Sequence, residues 1–203
     1  MTKKDPQVLR LKITLEHIEP APWREIEIRS DKTLPHLHDA IQAAFLWYDM
    51  HLWDFQIGDR KYQMKGEDFW MEPMFGPPVM EVTTKKLHFF LNAKVSPVIY
   101  TYDFGDDWTH RVELVSKRPI VPNETLPRFV GGQWATPPED IGGPPMYEVF
   151  KEARGDAMHP EHDWAKEAGY VDWDHDEIYA DTISERFAKL QIQKRRERNY
   201  WME

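Results

Sequence analysis

The amino-acid sequence predicts an α+β fold: a mainly antiparallel sheet with helices packed on it, followed by further helices towards the C-terminal end. Three observations carry that expectation. Several short segments alternate apolar and polar residues, the period of a half-buried strand. One segment, around residues 33–47, instead places its apolar residues on a single helical face. The final third turns strongly acidic and then basic, with helical spacing and no further strand pattern.

Taken in order, Leu9, Leu11, Ile13 and Leu15 alternate with Arg10, Lys12, Thr14 and Glu16, and after a Pro20-Ala21-Pro22 turn Ile26 and Ile28 repeat the pattern. The pair reads as an N-terminal hairpin. Thr33 is placed to cap a helix, Pro35 suits its first turn, and Leu34, Leu37, Ile41, Ala44 and Phe45 form its apolar face, which stops near Trp47. Strands are expected over 51–57 and 60–64 around Gly58-Asp59 and a loop over 67–78, while 87–91 fits either a short helix or a buried strand, with the helix preferred. Residues 98–103 and 108–115 flank Phe104-Gly105-Asp106-Asp107 and make the clearest hairpin. From Lys117 to Pro145 seven Pro and four Gly argue for a long loop, held to the core by Phe129 and Trp134. Helices are expected over 146–154, 160–168 and 176–198.

The composition of 203 residues, 41% of them apolar and nine of them Trp, suits one core and a single domain over 1–203, with 188–203 as a basic helical extension. The longest apolar run, Ala43 to Tyr48, is six residues, far short of the roughly 18 that cross a bilayer. No membrane association is expected. Lys3 and Lys4 are not followed by a signal-peptide core, and there are no cysteines, so disulfides and thiolate chemistry are excluded and a cytoplasmic location is expected. The net charge of −9 opposes general attraction to phosphate backbones. Thirteen acidic residues face three basic ones between Glu139 and Asp181, whereas Arg186 to Arg198 holds six Lys or Arg. That basic stretch reads as a solvated helix, and tight nucleic-acid binding is not expected; a protein partner is compatible with the composition.

Three blocks gather polar residues among aromatics: Trp47 to Phe55, Tyr100 to His110, and Pro137 to Gly143. Their order and content, Trp-x-x-x-His-Leu-x-x-Phe, then Tyr-Asp-Phe-Gly-Asp-x-Trp-x-His, then Pro-Pro-Glu-Asp-x-Gly-Gly, resemble the plasmid pRiA4b ORF-3-like family. The resemblance runs from the first strand to about Phe187. It implies an α+β fold and association with plasmids and transposons, some relatives being labelled resolvases, and it implies no established activity. Cysteines that many relatives carry near the Pro-Pro-Glu-Asp loop are replaced here by Phe129, Thr136 and Ile141, which removes any cysteine metal site.

Alternation places Trp108, His110, Val112 and Leu114 on the inner face of their strand, so His110 should be buried and should need a polar partner such as Asp103, Asp106 or Glu139. The candidate cluster for chemistry is Asp103, Asp106, His110, Glu139 and Asp140. If His51 converges with His110 and Glu139, the set suits a divalent metal such as Zn, Mn or Fe(II). Trp47, Trp53 and Trp108 are candidate walls of a groove. Gly105, Gly142 and Gly143 are expected at positive φ in turns. No phosphate-binding glycine loop is present, and Ser30, Ser96, Ser116 and Ser184 have no evident activating base. The leading expectation is a binding or accessory module without enzymatic activity, tied to plasmids or transposons. Its rival is a metal-dependent hydrolase or nuclease with Glu139 or Asp140 as ligand or general base.

Overall fold

A computed structural model describes residues 5–63, 79–82, 85–92, 97–168 and 173–192. The alternating segments become β1 (Gln7–Leu15) and β2 (Trp23–Arg29), joined as an antiparallel hairpin in which Leu11 faces Ile26. Helix α1 (Leu34–Phe45) follows, then β3 (Trp53–Ile57), β4 (Arg60–Gln63), β5 (Val79–Glu81) and the single turn α2 (Leu87–Phe90). The aromatic hairpin is β6 (Val98–Tyr102) and β7 (Trp108–Pro119); β8 (Arg128–Gln133), α3 (Gly143–Gly155), α4 (His162–Glu167) and α5 (Ala180–Ile192) complete the chain. The expected loop over 67–78 and the part of the terminal helix beyond Ile192 lie outside the described residues.

The strands form one sheet in the order β5-β4-β3-β6-β7-β1-β2-β8, antiparallel throughout except for β4 and β5. Side chains alternate across each strand, so the paired inner row Phe55, Tyr100, His110 and Leu15 is buried, and Leu9, Leu11, Ile13, Ile26 and Ile28 continue that face. Helix α1, backed by α5, contributes Leu37, Ala40, Ile41, Ala44 and Phe45 to the same core. The opposite face carries ion pairs, among them Arg10 with Glu25, Arg111 with Glu16, and Glu27 with Arg118 and Arg128.

Two expectations are corrected. The 117–145 stretch is not all loop: β7 runs on to Pro119, and β8 pairs with β2 from Trp23 to Glu27. An unpaired edge of β2 would leave a row of backbone donors and acceptors, and Arg128–Gln133 satisfies it with its prolines lying outside the ladder. Thr33 precedes α1 in extended conformation, but its hydroxyl pairs with His36 Nδ1 at 2.8 Å and makes no cap to the backbone.

A buried arginine locks the sheet to the segment after β8. Arg24, fully buried on the inner face, donates to the carbonyls of Ala44 (3.0 Å), Trp23 (2.9 Å), Gln133 (3.0 Å) and Trp134 (2.9 Å), and to Thr136 Oγ1 (3.2 Å). Each contact satisfies a polar atom that would otherwise be desolvated without a partner. The 137–143 loop is thereby delivered to the end of the sheet where β6 meets β7.

Candidate functional site

Three loops meet at that end of the sheet. The first follows α1, which stops where Leu46 takes a left-handed conformation, and runs through Trp47 to Leu52. It is fixed by an internal network: His38 Nε2 contacts Asp49 Oδ1 at 2.8 Å, His38 Nδ1 meets Tyr100 Oη at 2.8 Å, and Gln42 donates to Tyr100 Oη (3.1 Å) while its Oε1 accepts from Asp49 N (3.0 Å). His38 stacks on Trp53 with ring centroids 4.2 Å apart. On the outer side Arg186 of α5 donates to Trp47 O at 2.6 Å and lies over the Tyr48 ring.

The second loop is the β6–β7 turn. Asp103 N donates to Leu52 O (2.9 Å) and Asp107 N to Asp103 O (2.7 Å), so the turn closes on Asp103 and is tied to the first loop. Asp103 and Asp107, not Gly105, take the positive φ values of 55° and 54°, which corrects the expectation for that glycine. Aspartate tolerates this region because its carboxylate bonds nearby amides: Asp103 Oδ1 accepts from Gly105 N at 2.9 Å and from Asp106 N at 3.4 Å. Its other oxygen stays free of the turn.

The third loop, 137–143, is strapped across both. Trp47 Nε1 donates to Pro137 O (3.1 Å), Tyr48 N to Glu139 Oε2 (3.0 Å), the Tyr102 hydroxyl to Glu139 Oε1, and Gly142 N to Asp106 Oδ2 (3.0 Å). Gly142 and Gly143 adopt φ of 93° and 76° as expected; a Cβ on Gly143 would stand 2.6 Å from Asp106 O, so the crossing requires glycine. Asp140, also at positive φ (56°), is turned towards His51.

His51 Nε2 is the point on which the loops converge. It lies 2.9 Å from Asp140 Oδ1, 3.6 Å from Asp103 Oδ2 and 3.8 Å from Glu139 Oε1. His51, Asp103 and Asp140 each offer one ligand atom, all within 4.8 Å of one another. The nitrogen is shielded from solvent yet has no hydrogen-bond partner, because Asp140 Oδ1, though near, does not meet hydrogen-bond geometry. Two carboxylate charges within 4.8 Å of one another repel by about 3.5 kcal/mol or more at an effective dielectric of ~20, and Glu139 stands beside them. An imidazolium would cancel one of these charges; a divalent cation would cancel two. Burial raises the Glu139 carboxyl above its ordinary range against the pull of Tyr102 and the Tyr48 amide, and raises the Tyr102 hydroxyl as well.

The candidate residues therefore separate. Asp103, Glu139 and Asp140 reach His51, whereas Asp106 serves the third loop through Gly142. His110 is not among the three grouped ligands. It sits fully buried against Phe45, Trp47 and Tyr100, with Nδ1 on the Trp108 carbonyl (3.0 Å) and not on any of the expected carboxylates. Burial holds its pKa down to about 3 against the weaker pull of the Tyr100 and Trp108 backbone. The strand's alternation placed it inward, and inward here is core. Trp47, Trp53 and Trp108 are likewise buried, so they are packing and wall no open groove. Exposed apolar side chains on or beside the loops include Met50, Leu52, Phe104 and Met146. Tyr102, His38 and Asp49 lie outside the residues that the sequence marks as candidates; for Tyr102 a signal exists, since period-2 alternation from Val98 and Tyr100 puts it inward at the strand end, one residue before Asp103.

Comparison with known proteins agrees with this architecture. The family model for plasmid pRiA4b ORF-3-like protein matches residues 7–182. An uncharacterized protein, y4hQ of Sinorhizobium fredii, is 31% identical over 167 residues, covering 80% of this chain and 83% of its own. The crystal structure of a protein of unknown function, MM3350 of Methanosarcina mazei Go1, superposes with a TM-score of 0.77 at 28% identity over 87% of this chain and 97% of that one. These relatives carry no assigned activity. With the matched model spanning the sheet, all three converging loops and most of the helices, the chain belongs to the plasmid pRiA4b ORF-3-like family.

Proposed function

We propose that this chain is a divalent-cation-binding module whose cation sits between His51 Nε2, Asp103 Oδ2 and Asp140 Oδ1 and organises a partner-binding surface formed by the three loops. The observation that carries the reading is the shielded His51 nitrogen, which has no hydrogen-bond partner and faces two carboxylates from separate segments. One imidazole with two carboxylates suits Mn, Fe(II) or Zn better than Mg, which favours oxygen ligands and retained water. Met50, Leu52 and Phe104, exposed beside the acidic centre, supply apolar contacts of the kind a protein partner covers. The plasmid in the family's name supports an accessory role in plasmid carriage.

The test is thermal unfolding with and without Mn2+ or Zn2+. A cation at 100 times its Kd stabilises by about 2.7 kcal/mol, which for a chain of this length is a Tm rise of roughly 5–10 °C. His51→Ala and Asp140→Asn should lose that increment. An equal increment in His51→Ala would overturn the assignment.

A second reading, a metal-dependent hydrolase, is favoured by Glu139, whose carboxylate is held by Tyr102 and Tyr48 beside the cation position, where a general base for a bound water would stand. The net acidity of the three loops disfavours a polyanionic substrate, and therefore the nuclease form of that reading.

A further inference from the structure

The geometry points to Tyr102 as the residue that sets which cation the site accepts, by occupying the Glu139 oxygen that would otherwise become a third carboxylate ligand. This rests on the cation site proposed above. Glu139 Oε1 lies 3.8 Å from His51 Nε2, close enough to share an ion with it, yet Glu139 is not one of the three grouped ligands. That same oxygen accepts the Tyr102 hydroxyl, while Oε2 is held by the Tyr48 amide. Both oxygens are thus committed within the protein.

Tyr102 is built to hold this position. Its side chain is buried, its ring stacks on Trp47 at 5.1 Å and meets His51 edge-on at 5.7 Å, and its oxygen also accepts from Met50 N at 3.0 Å. One hydroxyl therefore touches the loop that carries His51 and the loop that carries Asp140. With Glu139 engaged, the cation meets one nitrogen and two carboxylates, a mixed set suited to Mn2+ and Zn2+. With Glu139 released it would meet three carboxylates, and added anionic oxygen ligands favour Ca2+ and raise affinity overall.

Tyr102→Phe removes only the hydroxyl and keeps the buried ring, so the fold should survive. Isothermal titration with MnCl2 and with CaCl2 should show Mn2+ binding about tenfold tighter in Tyr102→Phe than in the wild type, and a larger relative gain for Ca2+. The Tyr102→Phe/Glu139→Gln double variant should return to wild-type affinity. The sign separates this from a merely structural role, since a loosened loop would weaken binding. Wild-type binding of Mn2+ with an unchanged or weaker Kd in Tyr102→Phe would overturn the role of Tyr102 alone. Absence of Mn2+ and Ca2+ binding in both proteins would overturn the cation site and this inference together.

Discussion

Lowering the pH should act on this fold through His110. Its imidazole is fully buried among Phe45, Trp47 and Tyr100 and is neutral in the folded chain, with a pKa of about 3, whereas in the unfolded chain it returns to about 6.5. Between these values the unfolded chain binds a proton that the folded chain refuses. The stability due to the neutral ring is therefore complete above about pH 6.5 and falls as pH drops towards 3. At pH 4.5 the proton on the unfolded ring is worth about 2 pH units at 1.36 kcal/mol each, or about 2.7 kcal/mol lost relative to neutral pH. His110→Leu removes the titration but leaves the Trp108 carbonyl without its side-chain donor, at a cost of about 1–3 kcal/mol at pH 7. Urea unfolding of both proteins at pH 7 and 4.5 isolates the effect, because every other titrating group is common to both and cancels. The deficit of the variant should shrink by about 2–3 kcal/mol at the lower pH and reach or cross zero. A deficit that is the same at both pH values would refute a buried, neutral His110.

Two further outcomes are expected. Gly143→Ala should destabilise by about 1–3 kcal/mol and weaken Mn2+ binding, because the position has φ of 76° and an added Cβ would meet Asp106 O at 2.6 Å; a melting temperature and Kd equal to wild type would show that the crossing of the third loop is not close-packed. Fluorescence anisotropy with duplex DNA at about 150 mM salt should detect no submicromolar binding, since six cations near the C-terminal end of a chain of net charge −9 neutralise few phosphates; tight, salt-sensitive binding lost on replacing Lys194, Arg195, Arg196 and Arg198 would refute it.

The three loops are held less by regular structure than by side chains of the core: Arg24 for the segment after β8, His38 with Asp49 for the segment after α1, and Tyr102 for both. The Arg24 guanidinium, both His38 ring nitrogens and the Tyr102 hydroxyl make their hydrogen bonds inside the protein, where an unmade bond costs about 1–3 kcal/mol. Within these loops His51 Nε2 is shielded, has no hydrogen-bond partner, and faces Asp103 Oδ2 and Asp140 Oδ1.

Local pattern alone determined much of this protein. The alternation of Leu9 to Leu15, Ile26 with Ile28, and Val98 to Tyr102 specified strands, because side chains of a strand point alternately to its two faces; the spacing of Leu34 to Phe45 specified α1 for the corresponding reason on a helix. The same alternation turned His110 inward, and the family's blocks named Asp103, Glu139 and Asp140 as chemically unusual. Tertiary structure decided the rest. Strand β8 exists because β2 has an edge to be paired, which no feature within Arg128–Gln133 announces. His51, read as the start of a strand, instead stands on the loop before β3 and, more than His110, is the histidine the carboxylates surround. The two were indistinguishable as residues in a sequence, since an inward direction says nothing of what waits there: His110 points into Phe45, Trp47 and Tyr100, while His51 points to where segments some 50 and 90 residues further along the chain bring their carboxylates, and that meeting is set by sheet order and by the buried hydrogen bonds that pull the loops together.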